Sequence, residues 1–175
     1  LVGSEMCIRD RPDTFALDPI YTYKMVVHTV PEVVVDNIKL IPGKHNTIVA
    51  QTPQGILKLS TQGSNSQFTG INVIVRKDNE YKTINIHKMN SEKEYLLGKY
   101  DLEMLTLPRI YFEDVEIKQS KTTEITIPLY GSVQISKGNG PASLFLKEKG
   151  QNIWLYDFDN FRYIENLNLQ PGKYM

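Results

Sequence analysis

The chain has 175 residues, equal numbers of basic and acidic side chains (20 each), a 41% hydrophobic share and one cysteine. That length suits one ordinary domain or two small ones. The zero net charge argues against a nucleic-acid or anionic-membrane surface, the lone Cys7 leaves no internal disulfide, and no apolar run approaches the ~20 residues needed to span a bilayer.

Residues 1–12 show neither alternation nor helical period, and no signal-peptide pattern. They are expected to be a non-native scar or a disordered terminus, outside the fold. From Ile20 to Val30 the chain is rich in β-branched and aromatic types and reads as a strand closed by Pro31. Val33-Val34-Val35 predicts a short second strand, Asp36-Asn37 a turn, Pro42-Gly43-Lys44 a tight turn, and Thr47–Ala50 the start of another strand.

A shift of 77 residues superposes this stretch on a later one. Tyr23 falls on Tyr100, Thr29 on Thr106, Pro31 on Pro108, Asp36-Asn37 on Glu113-Asp114 and Ile38 on Val115. Apolar positions meet apolar ones and the punctuating Pro is kept, which is the signature of an internal repeat. Gly55-Ile56-Leu57 falls on Gly131-Ser132-Val133 after one residue of slippage. Strands are expected around Ile56–Leu59, Ile71–Arg76, Lys82–His87, and from Gly98 to Leu107. In the following stretch they are expected at Ala142–Lys147 and Asn152–Tyr156, with turns at Asp78-Asn79 and Lys149-Gly150. Pro171-Gly172-Lys173-Tyr174 reads like the start of the Gly98-Lys99-Tyr100 phrase.

No segment keeps helical apolar spacing beyond one turn, so the fold class expected is all-β, in tandem Ig-like or transthyretin-like sandwich repeats with the last one truncated. The expected division is 13–50 as closing strands of a preceding β unit or stalk, 51–129 as a complete repeat, and 130–175 as an incomplete one. A unit lacking a strand leaves one side of its core uncovered, so residues 130–175 are expected to be marginal alone.

Two resemblances extend this reading. Gly55, Leu96–Tyr100, Gly131 and Leu169–Tyr174 resemble the grammar of the carboxypeptidase-regulatory-like (transthyretin-like) sandwich. Tyr23–Pro31 with Pro42–His45, and Gly98–Tyr111, look like the region after the von Willebrand factor A domain in large envelope proteins of the Bacteroidetes group. That resemblance implies a non-catalytic structural or presenting module at the cell envelope or outside the cell. Its partners would be neighbouring β domains of the same chain. The A domain's metal signature, Asp-x-Ser-x-Ser, is absent, so no metal ligand is carried over. Residues 1–12 resemble a translated sequencing adapter.

Candidate chemistry is sparse. His28, His45 and His87 stand apart in sequence, and no nucleophile elbow or phosphate-cradling glycine cluster is present. Asp157-Phe158-Asp159-Asn160 places oxygens at alternate positions, yet lacks the glycine and distal Glu of a calcium loop, and reads better as a hairpin turn at Asp159-Asn160. Neither cofactor nor metal is expected. Trp154, Tyr156, Phe158, Phe161 and Tyr163 form an aromatic cluster. On one sheet face they would stack against a sugar or a peptide; otherwise they pack a core. A carbohydrate- or peptide-binding module is therefore the alternative function, and an accessory domain of a secreted hydrolase a third.

Overall fold

The computed structural model describes residues 15–62 and 71–175. The expectation for residues 1–12 lies outside them. The described residues contain thirteen strands and no helix. They divide into two compact units: residues 15–27 with Val33–Gln51, and His28–Glu32 with Thr52–Met175.

In the first unit β1 (Thr22–Val27) and β2 (Val33–Lys39) form an antiparallel pair. Tyr23 faces Ile38 and Met25 faces Val35, so two residues of β1 span three of β2. The extra residue is a β-bulge, with Asn37 at φ 58°. It resets the parity of β2, and Val33, Val35 and Ile38 all turn to one half-buried face. Asp36-Asn37 is thus a bulge inside a strand, not the turn expected. Asn46 closes the next turn, accepting from the Ile41 N–H at 2.9 Å and donating to the Ile41 and Lys44 carbonyls. The strand expected at Thr47–Ala50 does not form.

The second unit begins with β3 (Gln54–Thr61), β4 (Asn72–Lys77), β5 (Thr83–Lys88), β6 (Ser91–Leu96), β7 (Gly98–Met104), β8 (Ile110–Ile117) and β9 (Thr122–Ile127). They make a three-stranded sheet, β6-β3-β9, and a four-stranded sheet, β5-β4-β7-β8. All neighbours are antiparallel except β3 and β9, which run parallel. Counted from β3, strands 4-1-7 form one sheet and 3-2-5-6 the other. An immunoglobulin constant domain instead groups 1, 2, 5, 4 and 3, 6, 7, so this is a different strand order.

Alternation puts Leu57 and Leu59 of β3, Val73 and Val75 of β4, and Tyr100, Leu102 and Met104 of β7 into one core. Tyr95, Ile117 and Ile127 complete it from the other strands. The core draws on both sheets, as in a two-layer β protein. β8 carries the same bulge as β2: Tyr100 faces Val115, Leu102 faces Phe112, and Asp114 sits at φ 56°. Glu113-Asp114, which the 77-residue shift matches to Asp36-Asn37, likewise lies mid-strand for this reason. Every element of the β1–β2 irregularity recurs 77 residues later, including positive φ at Gly43 and Ser120.

The chain then forms β10 (Gly131–Ser136), β11 (Ser143–Glu148), β12 (Gln151–Asp157) and β13 (Ile164–Leu169). β10 pairs with β13 as β3 does with β6, and β11 with β12 as β4 does with β5. Residues 173–175 lie along β11, where Met175 and Phe145 exchange backbone hydrogen bonds at 2.9 and 3.0 Å. β12 and β13 belong to different pairs, so the Asp159-Asn160 turn crosses between them and is not a hairpin. Among the described residues the buried hydrophobics here are three, Leu144, Phe158 and Leu169, against fourteen in the preceding core.

Candidate functional site

The aromatic residues singled out in the sequence do not share a face. Between β11 and β12, Leu144 faces Tyr156 while the next residue, Phe145, faces Trp154. The bulge at Leu155 therefore turns Trp154 and Tyr156 to opposite sides. Phe158 is buried beside Leu144 and Leu169, with the Tyr156 ring edge-on to it at 5.4 Å. The Tyr156 hydroxyl donates to Glu165 Oε2 at 2.7 Å, and the Asp159 N–H donates to Glu165 Oε1 at 2.8 Å. Both oxygens of this buried carboxylate are thereby satisfied. Trp154, Phe161 and Tyr163 are exposed. The indole N–H of Trp154 donates to Asp157 Oδ1 at 2.8 Å, which fixes the ring. Asp157 Oδ1 also accepts from the Ser143 hydroxyl, and these two bonds hold its carboxyl below the usual range. Asp159 Oδ1 accepts from the Phe161 N–H. Of the calcium-like string, Asp157 thus serves the β11–β12 pair and Asp159 the turn that follows.

A polar concavity lies elsewhere, on the outer face of the four-stranded sheet. Cross-strand pairing sets Ile86, Ile74, Glu103 and Tyr111 in one row. Arg76 and Asp101 pair in the next row, and a cavity of about 300 Å³ opens between them, rimmed by Tyr81 and Tyr111. Glu103 is buried although it points away from the core. Arg76 Nη2 lies 2.7 Å from its Oε2, and Arg109 bonds its Oε1. Burial pushes the Glu103 carboxyl upward, but the two guanidinium groups outweigh it and hold the pKa below the ordinary value. Held by a guanidinium at each oxygen, Glu103 acts as a clamp joining β4, β7 and the residue that leads into β8. Asp101 accepts from the Asp114 N–H at 3.1 Å and so pins the bulge of β8. The sequence held no signal for this cluster, because an alternating strand marks Glu103 only as outward.

The histidines are separate. His28 pairs with Glu32 at 3.0 Å on the surface, and His45 is exposed. His87 is buried and stacks on Tyr95 with ring centroids 5.8 Å apart. Its Nε2 faces the Ser91 carbonyl at 3.3 Å, which requires the proton there, so Nδ1 accepts from the Tyr95 hydroxyl at 3.0 Å. Asn85 donates to the same hydroxyl at 2.6 Å. Burial lowers the His87 pKa and raises those of Tyr95 and Tyr100 to about 12. Among the described residues no group of three His, Cys, Asp or Glu is placed to hold a metal ion, and no helix is long and apolar enough to cross a membrane.

The fold defines an all-β protein of several sheets. No family model, curated protein or solved structure matches the chain.

Proposed function

We propose that this chain is a non-catalytic β-sandwich module that spaces or presents a neighbouring domain of a bacterial envelope protein. Residues 13–50, 51–129 and 130–175 are, on this reading, parts of three successive copies of one unit, of transthyretin-like grammar. The observation that carries it is the recurrence of the β1–β2 geometry in β7–β8. Tyr23 opposite Ile38 and Met25 opposite Val35 become Tyr100 opposite Val115 and Leu102 opposite Phe112, with the same bulge at the same offset. A tyrosine hydroxyl supports each copy: Tyr23 donates to Asp18 O, Tyr100 to Leu96 O and Tyr174 to Gln170 O. Such repetition serves extension and spacing; it does not itself assemble a reaction centre.

The envelope location and the adjoining von Willebrand-type A domain rest on the resemblance of Tyr23–Pro31 and Gly98–Tyr111. Contiguous long-read sequence of the source DNA tests them. An A domain upstream in the same frame supports the presenting role, and an enzyme domain there replaces it with the hydrolase-accessory reading. Loss of residues 1–12 from clean reads supports their origin as an adapter scar.

A second reading, carbohydrate or peptide binding, is favoured by Trp154, whose exposed ring is held in place by Asp157 at 2.8 Å. Titration of Trp154 emission with soluble glycans separates the two. Saturable quenching supports binding, and a flat response supports the structural role.

A further inference from the structure

Two loops 77 residues apart share one construction. Thr29 Oγ1 donates to the Pro31 carbonyl at 2.6 Å, and Thr106 Oγ1 to the Pro108 carbonyl at 2.7 Å. Each bond ties off a Thr-x-Pro loop and leaves the middle residue projecting. In the first loop this is Val30, which packs against the core of β3–β9. In the second it is Leu107, which packs against the small core of Leu144, Phe158 and Leu169. The backbone repeats the pattern. The Leu96 N–H donates to the Val30 carbonyl at 2.8 Å, and the Gln170 N–H to the Leu107 carbonyl at 2.9 Å. The carbonyls of those same two donors receive the hydroxyls of Tyr100 and Tyr174 at 2.7 and 2.5 Å. Leu107 and Leu169 also form a parallel bridge. Loop, acceptor, donor and supporting tyrosine thus occur twice in the same roles.

We propose that the Thr-x-Pro loop is a docking plug whose partner is the next copy of the same unit in the chain. The middle residue fills the end of the following unit's core, and its carbonyl caps that unit's fourth strand. The socket is the β6–β7 corner in one copy and the β13–Tyr174 corner in the other. Consecutive units are therefore coupled in stability, each lending an apolar residue to its successor. The two cores differ in their dependence. Val30 adds to fourteen buried hydrophobics, whereas Leu107 adds to three. Losing Leu107 removes a larger share of the packing it joins.

This inference rests on the repeated-unit reading, and hydrogen exchange on the full chain tests it without reference to the envelope role. Trp154, the only tryptophan, lies in β12 and reports on residues 130–175 independently. Leu107→Ala is expected to speed amide exchange in β10 and β13 by at least about tenfold and to lower the urea midpoint read by Trp154. Val30→Ala is expected to speed exchange in β3 and β6 by a smaller factor. Reciprocally, Leu169→Ala is expected to speed exchange in β8, since coupling acts in both directions. Should Leu107→Ala fail to fold, Leu107→Val and Thr106→Val keep the chain intact and give the same ordering at smaller amplitude. Exchange in β10 and β13 that is unchanged in Leu107→Ala and Leu107→Val overturns the plug. A missing A domain upstream would defeat the presenting role and leave this coupling untouched.

Discussion

Replacing Gly55 by alanine tests how the two sheets of the β3–β9 unit close. Gly55 lies in β3, and a Cβ there would stand 2.2 Å from the Lys118 carbonyl oxygen and 2.9 Å from Ile117 Cγ2. The first of these is backbone and cannot rotate away. The turn after Lys118 is tied to β3 on both sides of the glycine: the Ser120 N–H donates to Gln54 O at 3.0 Å, and the Ile56 N–H donates to Lys121 O at 2.9 Å. Restoring an ordinary contact requires a retreat of about 1 Å, which strains both bonds. Overpacking of this kind costs about 1–3 kcal/mol. Gly131 stands at the matching place in β10 and has nothing among the described residues within 4 Å of its Cβ position, so Gly131→Ala is expected within about 0.5 kcal/mol of the parent. Urea unfolding followed by far-ultraviolet circular dichroism compares the two. Gly55→Ala is expected to lower the midpoint by about 1 M, given a slope of about 1–3 kcal/mol/M. Equal midpoints for the two variants would refute the close approach of the β8–β9 connection to β3.

Gln170 Nε2 is buried without a hydrogen-bond partner among the described residues, and the residue making the corresponding backbone bond at the end of β6 is Leu96. Gln170→Leu is therefore expected to raise stability by about 1–2 kcal/mol, read as a higher urea midpoint of Trp154 emission. His87 is held neutral, its pKa lowered by burial and by the charge of Lys93. Below pH 6.5 the unfolded chain binds a proton that the folded chain refuses, so stability falls as pH drops from 6.5 to the folded pKa, by at most about 1.4 kcal/mol per unit, and then levels. His87→Gln is expected to flatten that window in pH-dependent denaturation. Glu103 acts in a lower one. Its folded pKa lies below 4.5, so its contribution is full above that pH and is lost as pH falls through the folded value. Glu103→Gln is expected to cost about 1–3 kcal/mol at pH 7, reduced from a fully buried pair because Arg109 is half exposed, and to remove the acid-side loss.

The sequence disclosed periodicity better than irregularity. Alternation marked β3, β4, β5, β7, β11 and β12, because each sets Val, Ile, Leu or Tyr at every second place. It failed at Asp36-Asn37 and Glu113-Asp114. Polar pairs inside apolar runs resemble turns, and only pairing with β1 and β7 reveals a bulge that resets parity. It also failed at Thr47–Ala50, where β propensity has no partner strand among the described residues to act on. Of the aromatic cluster, Tyr156 and Phe158 went to packing and Trp154 to the opposite side, through the bulge at Leu155. The Arg76–Glu103–Arg109 clamp was invisible because it joins β4, β7 and the loop before β8 across a face that the sequence marks only as polar. The Thr-x-Pro repeat, by contrast, was legible as a recurring phrase, though what Val30 and Leu107 touch was not.

The amide of Gln170 offers the most direct measurement. In the native, unsubstituted chain its N–H is bonded to the Leu107 carbonyl at 2.9 Å, as Leu96 is to Val30 at 2.8 Å. Residue-resolved hydrogen exchange by NMR reads both. The proposed docking of the Thr-x-Pro loops predicts that Gln170 and Leu96 are each protected together with the strand they end, β13 and β6. Exchange of Gln170 at the rate of a free amide, with β13 still protected, would contradict the joining of one unit to the next.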